Sequence, residues 1–179
     1  MKVLILNGAA ESGKGTVVEY IKHCFLINAL EYSSIDYVKK VAVDQFGWDG
    51  EKDAKGRILL SEIKQLMINY NDLPFKKVAE VISDCVSFNE DLLVVDVREP
   101  EEIRKVVKQC KIMEIDCAAC KVERKEAESR AKKQKLHPKG DLAYDSYAYD
   151  YYINNDGTLY DLELVVGHVL KPFFRRSEI

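Results

Sequence analysis

Two kinds of apolar pattern alternate along the chain. Four consecutive aliphatic residues at 3–6, and again at 92–95, have the length and branched content of buried parallel strands. Less strongly apolar segments at 30–34 and 110–116, and one that starts at residue 151, predict three further strands. Apolar positions that recur every three or four residues predict the intervening helices. These helical segments span residues 14–25, 34–40, 58–67, 75–84, 100–109 and 158–170.

The order of these elements predicts one α/β domain over residues 1–179. Consecutive strands are separated by helices, so the connections are crossovers and the strands should be parallel. Helices on both faces of a five-stranded parallel sheet give a three-layer architecture. A chain of 179 residues is long enough to bury a substantial core in a single domain.

Composition and charge narrow the function classes. The chain is 47% hydrophobic and 32% charged, with a formal net charge of −3, which gives no general attraction to nucleic acid or to an anionic membrane. No apolar run is long enough to cross a membrane, and the first residues lack the layout of a signal peptide. We therefore expect a cytoplasmic protein whose five scattered cysteines are reduced thiols. We also expect a monomer or a weak dimer.

Residues 8–16, GAAESGKGT, match the phosphate-binding loop (P-loop, or Walker A) pattern in its G-x-x-x-x-G-K-G-[ST] form. A buried strand comes before this loop and a helix follows it. The chemistry needs that order, because glycines let backbone N–H groups surround phosphate oxygens and the helix N-terminus adds partial positive charge. A glycine-rich turn without a ligand is the alternative. The predicted cofactor-binding residues of the loop are Gly8, Ala9, Ala10, Glu11, Ser12, Gly13, Lys14, Gly15 and Thr16.

Two side chains of this loop have expected roles in nucleotide binding. Lys14 is placed to reach the β- and γ-phosphates of ATP, and a hydroxyl just inside the helix, at Thr16, is suited to hold Mg²⁺. A further candidate metal ligand is Asp96, which follows the four aliphatic residues of the strand at 92–95. Open α/β sheets bind ligands at the carboxyl ends of strands, and an acidic residue there orients Mg²⁺ or its water in phosphate-loop proteins. Capping of the next helix is the alternative role for Asp96.

Cationic residues suggest where other phosphates would bind. Arg57 begins the helix predicted at 58–67, where the helix dipole disfavours a cation, and a bound phosphate would remove that conflict. A surface arginine is the alternative.

Residues 121–140 hold eight lysines and arginines against three glutamates, and the i,i+4 pair Glu126–Arg130 predicts that part of this stretch is helical. Such charge favours a lid over the triphosphate, with Arg124 and Arg130 as candidates for charge stabilisation. A solvated helix and nucleic-acid binding are the alternatives, although no aromatic residues are interleaved for stacking.

Three motifs of the chain resemble those of the phosphate-loop nucleoside monophosphate kinases, the adenylate kinase-like group. They are the Gly-Lys-Gly-Thr loop, Asp-Val-Arg at 96–98 and Asn-Asp-Gly-Thr at 155–158. The similarity is greatest to phage-type deoxynucleoside monophosphate kinases, to which a Trp, a Lys-Asp pair and the Gly-Arg-x-Leu-Leu segment near residues 48–60 are similar. The resemblance implies an acceptor-binding helical insert at about 34–88 and a small mobile lid at about 117–142. The Ser-Glu pair that these kinases often have is replaced here by Tyr149-Asp150 or Asp145-Ser146, which puts the transfer of their substrate in question.

The resemblance also assigns roles to particular residues. It implies a loop bordering the nucleotide base at Asp156 and Gly157. The implied substrate-binding residues are Ser34, Asp36, Lys39, Arg57 and Arg98. The implied catalytic residues are Lys14, Asp96, Arg98 and Arg124. Cys117 and Cys120 lie where certain adenylate kinases carry a four-ligand zinc site, but no second pair follows, so metal binding there is disfavoured.

These features predict an enzyme that moves the γ-phosphoryl group of ATP, with Mg²⁺, to a nucleoside or deoxynucleoside monophosphate. Other small-molecule kinases on the same scaffold, such as a dephospho-coenzyme-A kinase, remain open. So does a regulator that binds ATP without turning it over, and so does a nucleic-acid end kinase that uses the basic stretch. The expected partner is a small nucleotide, with no nucleic acid and no membrane involved.

Overall fold

A computed structural model describes residues 1–133 and 143–175 of the chain. No helix in these two ranges is both long and apolar enough to cross a membrane. The strands are β1 (Lys2–Asn7), β2 (Ala29–Ser33), β3 (Leu92–Asp96), β4 (Asp116–Glu123) and β5 (Tyr151–Asn154). The helices are α1 (Lys14–Phe25), α2 (Asp36–Phe46), α3 (Ala54–Asn71), α4 (Leu73–Ser87), α5 (Pro100–Ile112), α6 (Lys125–Lys133), α7 (Leu159–Val169) and α8 (Lys171–Arg175).

The five strands form one sheet in the order β2-β3-β1-β4-β5, and every neighbouring pair is parallel. The predicted fold class is therefore confirmed. The order changes direction beside β1, which carries the phosphate-binding loop at its carboxyl end. A change of direction of this kind opens a crevice at the carboxyl ends of the strands, where α/β proteins bind their ligands.

Apolar cores fill both sides of the sheet. On one side α1 and α7 cover alternate residues of β1, including the fully buried Leu4 and Leu6. On the other side α4 and α5 cover Val3 and Ile5. Successive side chains of a strand point to opposite faces, so the continuous apolar run of β1 supplies both cores and fixes the strand between two helical layers.

A smaller cluster joins α2 to α3 outside these two cores. Its buried members are Val38, Ala42, Leu60 and Ile63. Helices α2, α3 and α4 together cover most of the stretch at 34–88 that the resemblance assigns to an acceptor-binding insert. That role for the insert stays a prediction.

The strand predicted at 110–116 is wrong. Cys110 continues the apolar face of α5 that Ile103 and Val106 begin, so the helix runs on to Ile112, and the strand is Asp116–Glu123 instead. Residues 117–123 of the predicted lid consequently belong to the sheet, and the basic segment that can cover the loop starts only after β4. Residues 134–142 of the predicted lid lie outside the described residues.

The C-x-x-C pair lies within β4. Cys120 packs into the core on the α1 side, whereas Cys117 packs against the core on the α5 side. Residues three apart on a strand point to opposite faces of the sheet, so these two sulfurs do not converge on a metal ion.

Candidate active site

Polar residues end the three neighbouring strands on one side of the sheet centre. Asn7 ends β1, Asp96 ends β3 and Ser33 ends β2, and the register places Leu6 beside Asp96 and Ser33 beside Asp96. The β2 and β3 ends are also joined by hydrogen bonds, because the Asp96 carbonyl accepts from the Ser34 N–H at 3.2 Å and from the Ser33 hydroxyl at 3.3 Å. The carboxyl ends of β1, β2 and β3 therefore form a group of polar residues next to the phosphate-binding loop.

Two glycines of the loop are required by its shape. Gly8 has φ +141°, and a Cβ there would lie 2.4 Å from the Val122 carbonyl oxygen of β4. Gly13 has φ +95°, and a Cβ there would lie 2.3 Å from the amide nitrogen of Asn155. Both positions combine a backbone conformation that side chains disfavour with a close neighbour, so only glycine fits. The loop then leads directly into α1, whose free N–H groups face the open space beside it.

Two buried or half-buried asparagines hold the two ends of this loop. Asn7 accepts a hydrogen bond from the Gly8 N–H at 2.8 Å through its Oδ1, and its amide donates to the Tyr149 hydroxyl at 2.8 Å. At the other end, the Asn155 amide donates to the Ser12 carbonyl at 2.8 Å. Burial raises the pKa of Tyr149 to about 12, so its hydroxyl stays neutral and available to this network.

The side chain of Lys14 curves back over the loop. Its Nζ donates to the carbonyls of Gly8 at 3.1 Å and Ala9 at 3.3 Å. Burial lowers the pKa of Lys14, and the positive charges of Arg98 and Lys52 lower it further, while the Asp96 carboxylate acts in the opposite direction. A cation held in this way by weak neutral acceptors is well suited to an anionic ligand.

Two buried oxygens next to Lys14 have no hydrogen-bond partner among the described residues. They are Ser12 Oγ and Asp96 Oδ1. Buried polar atoms are nearly always paired, so orphaned ones mark a place where a ligand, ion or water belongs. Thr16 lies close by in the first turn of α1 and is half-buried. A carboxylate, a serine hydroxyl and a threonine hydroxyl are oxygen donors of the kind that Mg²⁺ prefers.

An open cleft of about 430 Å³ extends from the loop to the end of β2. Its polar lining includes one cation, Lys14, and four carboxylates. The carboxylates belong to Glu11, Glu31, Asp36 and Asp96. Tyr32 and Ser33 also line it, beside the apolar side chains of β1, α1 and β3. The cleft therefore has room for a second small molecule beside a bound phosphate chain.

The residues predicted for the acceptor occupy different positions around this cleft. Asp36 lines it and forms an ion pair with Lys39 at 2.7 Å. Ser34 does not line it, because its buried hydroxyl faces Glu102, which pairs with Lys64 at 2.8 Å. The neighbouring residue Ser33 takes the place in the cleft that the sequence suggested for Ser34.

The two arginines predicted to hold the acceptor phosphate lie outside the lining of the cleft. Arg98 follows β3, and its backbone carbonyl accepts from the Asn7 amide at 3.1 Å. Arg57 lies in the first turn of α3, as predicted, and its Nε donates to the Lys52 carbonyl at 2.9 Å. Neither lines the cleft as the structure stands, yet the charges of Arg98 and Lys52 both act on Lys14. The acceptor-binding roles of Arg98 and Arg57 stay predictions.

Helix α6 packs directly on the phosphate-binding loop. Ala127 of the helix and Ala9 of the loop are both buried in one small apolar contact. Arg130 donates to the Glu11 carboxylate at 2.8 Å, and it also pairs with Glu126. Arg124 lies 3.5 Å from the Glu11 carbonyl. The two arginines predicted for the lid thus lie against the loop, and both contact Glu11.

The segment after β5 supports the start of α6. The Asp156 carboxylate accepts a hydrogen bond from the Lys125 N–H at 2.8 Å, and this bond is the main cause that lowers the pKa of Asp156 below its usual range. A Cβ at Gly157 would lie 2.9 Å from Asp161, which forms a capping box with Thr158 at the start of α7. Asp156 and Gly157 therefore contact the starts of α6 and α7, and the base-bordering role expected of them stays a prediction.

Sequence reasoning missed several of these residues. Asn7, Lys52, Ser33 and the side chain of Asn155 were not among the predicted site residues. Asn7 could have been predicted from the sequence, because a polar residue between a buried apolar run and a glycine is expected at the carboxyl end of a parallel strand, where ligands bind. The position of Lys52 depends on the path of the chain between α2 and α3, which no local pattern indicates.

The fold is shared with solved structures of P-loop kinases. The chain aligns with a sugar kinase from Janibacter sp. HTCC2649 at a TM-score of 0.52 and 12% identity, covering 96% of this chain and 95% of that one. It aligns with the APS kinase of Mycobacterium tuberculosis, solved with AMPPNP and APS, at a TM-score of 0.52 and 16% identity, and the alignment covers 95% of this chain and 97% of that one. With shikimate kinase from Aquifex aeolicus the TM-score is 0.51 and the identity 14%, and the alignment covers 95% of this chain and 96% of that one. No family model matches the sequence, and no curated protein matches it. At these identities the likeness concerns the fold.

Proposed function

We propose that this protein is an ATP-dependent phosphotransferase that acts on a small molecule, and that the acceptor is a nucleoside or deoxynucleoside monophosphate. The observation that carries the first part is the set of groups around Lys14. A glycine loop, a helix N-terminus and two orphaned buried oxygens, Ser12 Oγ and Asp96 Oδ1, converge beside it. Phosphoryl transfer needs positioning and charge neutralisation more than covalent chemistry, and these groups are suited to both.

The donor nucleotide would bind with its phosphates on the loop. The backbone N–H groups at the start of α1 and the Lys14 ammonium would neutralise the phosphate oxygens. Solved structures with this fold include a kinase bound to AMPPNP, which supports ATP as the donor. The loop between Asp156 and Thr158 lies beside α6 and borders the region expected for the base.

Mg²⁺ fits the oxygen donors beside the phosphate-binding loop. Asp96 lines the cleft, whereas Thr16, in the first turn of α1, does not. Both would hold the ion, directly or through water, and the buried Asp96 Oδ1, which has no hydrogen-bond partner among the described residues, supports this fit. When bound, the ion would neutralise charge on the transferring phosphoryl group.

The mixed charge of the cleft supports a nucleotide as the acceptor. A monophosphate needs cations for its phosphate, and Lys39, Lys52 and Arg98 are present at the rim. It also needs acceptors for its sugar hydroxyls, which Asp36 and Glu31 could provide. A ligand with a phosphate at one end and hydroxyl groups at the other complements both sets.

A second candidate acceptor is a hydroxyl-rich molecule that carries no phosphate. It is favoured by the lining of the cleft, where four carboxylates outnumber the single lysine. Such a ligand would bind the carboxylates through its hydroxyls and would not need the ion pair of Lys39 with Asp36 to open.

An acceptor panel tests the proposal. ADP formation is measured with ATP and Mg²⁺ alone, and then with each nucleoside monophosphate, each deoxynucleoside monophosphate, dephospho-coenzyme A and a set of unphosphorylated sugars and nucleosides. Acceptor-dependent ADP with one class of monophosphate is the expected result. ADP formed only with an unphosphorylated acceptor would select the second candidate. Tight ATP binding without acceptor-dependent ADP would leave a nucleotide-binding regulator, and salt-sensitive binding of oligonucleotide ends would favour a nucleic-acid kinase.

A further inference from the structure

A second group of chemically reactive side chains lies far from the cleft, between α1 and α7. His23 and Cys24 come from the last turn of α1, and Glu163 comes from α7. His23 is nine residues beyond Lys14 on the same helix, which is about 14 Å along the axis at 1.5 Å per residue. The proposed phosphotransferase chemistry does not use this group.

We propose that His23, Cys24 and Glu163 bind one zinc ion. Their ligand atoms all lie within 4.8 Å of one another. His23 Nδ1 and Glu163 Oε1 are 2.7 Å apart, and Cys24 Sγ is 3.8 Å from the Glu163 backbone carbonyl. Zinc bonds of about 2.0–2.3 Å require ligand atoms a little over 3 Å apart, so small side-chain rotations would bring the three into coordination.

The surroundings leave room for an ion. His23 is exposed, whereas Cys24 and Glu163 are half-buried, so the site has one open side and one protein side. Gly167, one turn after Glu163, faces the Cys24 sulfur without a side chain, and a Cβ there would make an ordinary contact at 3.5 Å.

The donor set suits zinc better than it suits a hard cation. Imidazole nitrogen, thiolate sulfur and carboxylate oxygen are the ligands of zinc sites, whereas Mg²⁺ and Ca²⁺ select oxygen. Three protein ligands leave a fourth tetrahedral position for water. Burial and the nearby Glu163 charge raise the pKa of Cys24, so the free thiol is protonated at neutral pH. Binding therefore forms the zinc–sulfur bond and releases the thiol proton to solvent.

A zinc ion here would join two helices that cover the same face of the sheet. It would bind the folded protein and not the separated helices of the unfolded chain, so it would add to stability by mass action. It would not enter the cleft, because the ligands lie at the opposite end of α1 from the loop. Loss of the zinc site and loss of the phosphotransferase activity are thus separate outcomes.

Cobalt titration of the whole protein tests this proposal. Metal-free protein, kept reduced with a non-thiol reductant and without nucleotide, is titrated with Co²⁺, and the thiolate-to-cobalt charge-transfer band is recorded. The expected result is one Co²⁺ per chain with this band, followed by its loss when Zn²⁺ displaces the cobalt. Co²⁺ bound at the phosphate loop would have oxygen ligands and would give no such band.

Two variants and a control make the outcome specific. Cys24→Ser should abolish the band and weaken metal binding at least tenfold, and Glu163→Gln should weaken binding while the band remains. Cys117→Ser, which changes another half-buried cysteine, should leave both unchanged. Circular dichroism of the metal-free proteins checks that each is folded. Absence of the band in the natural protein, or its persistence in Cys24→Ser, would overturn the site and leave His23 and Glu163 as a hydrogen-bonded pair.

Discussion

At the scale of single residues, the shape of the phosphate-binding loop depends on side chains outside it. Asn7 accepts from the first N–H of the loop, and Asn155 donates to the Ser12 carbonyl near its end. These bonds restrain the peptide units at both ends of the loop, so its shape is set before a ligand binds. Preorganised donors of this kind lose no energy to reorientation when an anion binds.

Asn155→Ala should weaken ATP binding about tenfold, because the Ser12 carbonyl loses its partner and an unpaired buried group costs about 1–3 kcal/mol. The effect should appear in the Kd for ATP measured by calorimetry. Asn154→Ala is the matched control, since among the described residues this neighbouring side chain bonds to Asp156 and not to the loop. If both variants bind ATP as the natural protein does, the loop does not need Asn155.

The lowered pKa of Lys14 gives a pH dependence with a definite sign. Bound phosphates favour the charged lysine, whereas burial in the free protein favours the neutral one. ATP affinity should therefore fall as the pH rises through the lowered pKa, which lies below the usual lysine value of 10.5. A titration of Kd against pH measures this. In Lys14→Arg, whose guanidinium stays charged, the alkaline fall should vanish, and a fall of equal size would assign it to another group.

Arg98 is expected to act on the acceptor. Arg98→Ala should raise the KM for the acceptor about tenfold or more, as expected for a lost charge-assisted bond of about 1.5–3 kcal/mol, with little change in the KM for ATP. Steady-state kinetics with each substrate varied in turn separates the two effects. Equal increases in both KM values would remove Arg98 from the acceptor site.

Individual site residues were predictable only where they belong to a local pattern. Lys14 and the glycines follow from the loop motif, and Asp96 follows from the end of a buried strand. Ser33 and Ser34 could not be told apart, because which of two neighbouring hydroxyls faces the cleft depends on the exact end of β2. Asn155 was visible as part of a turn, but its bond to Ser12 spans most of the chain.

At the scale of elements, α6 and the phosphate-binding loop form one unit. Ala9 and Ala127 pack together, and Glu11 of the loop contacts both of the arginines that were predicted for a lid. Arg130 therefore forms an ion pair with a carboxylate, that of Glu11, which also lines the cleft. A triphosphate on the loop would compete with Glu11 for this guanidinium, so Glu11 opposes nucleotide binding in two ways, by repulsion and by holding Arg130.

Glu11→Gln should consequently strengthen ATP binding by about two- to fivefold, in keeping with the 0.2–1 kcal/mol of an exposed ion pair. The gain should shrink in high salt, because screening reduces both effects. Glu19→Gln is the control, since it removes the same charge from the exposed face of α1 where Glu19 pairs with Lys22. An unchanged or weaker affinity in Glu11→Gln, measured by calorimetry at low salt, would contradict the role of this contact.

The elements themselves were predicted well where the apolar pattern is long. β1, β3 and α1 appear at the expected residues, and α3 extends the predicted helix at both ends. The error at 110–116 arose because Cys110 fits both a strand alternation and the face of α5, and the helical packing against β1 and β3 decided between them. As a result the true fourth strand was mistaken for part of the lid.

At the scale of the whole molecule, charge is divided between two regions. The cleft at the carboxyl ends of the strands is rich in carboxylates, whereas the basic segment after β4 supplies arginines that contact the phosphate-binding loop. The fold was predictable from the order of strands and helices, since crossover connections leave few alternatives to a parallel three-layer sheet. The acceptor was not predictable in the same way, because the site proposed for it draws on three strand ends and the α2–α3 region, which meet only in the folded chain.

The most direct test of the central proposal follows the γ-phosphoryl group itself. The protein is incubated with γ-labelled ATP, Mg²⁺ and the best monophosphate from the panel, and the label is separated into acceptor product and inorganic phosphate. We predict that the label enters the monophosphate, and that Lys14→Ala lowers this rate about a thousandfold while circular dichroism stays unchanged. Label found only in inorganic phosphate, or a Lys14→Ala protein as active as the natural one, would contradict the proposed phosphotransferase.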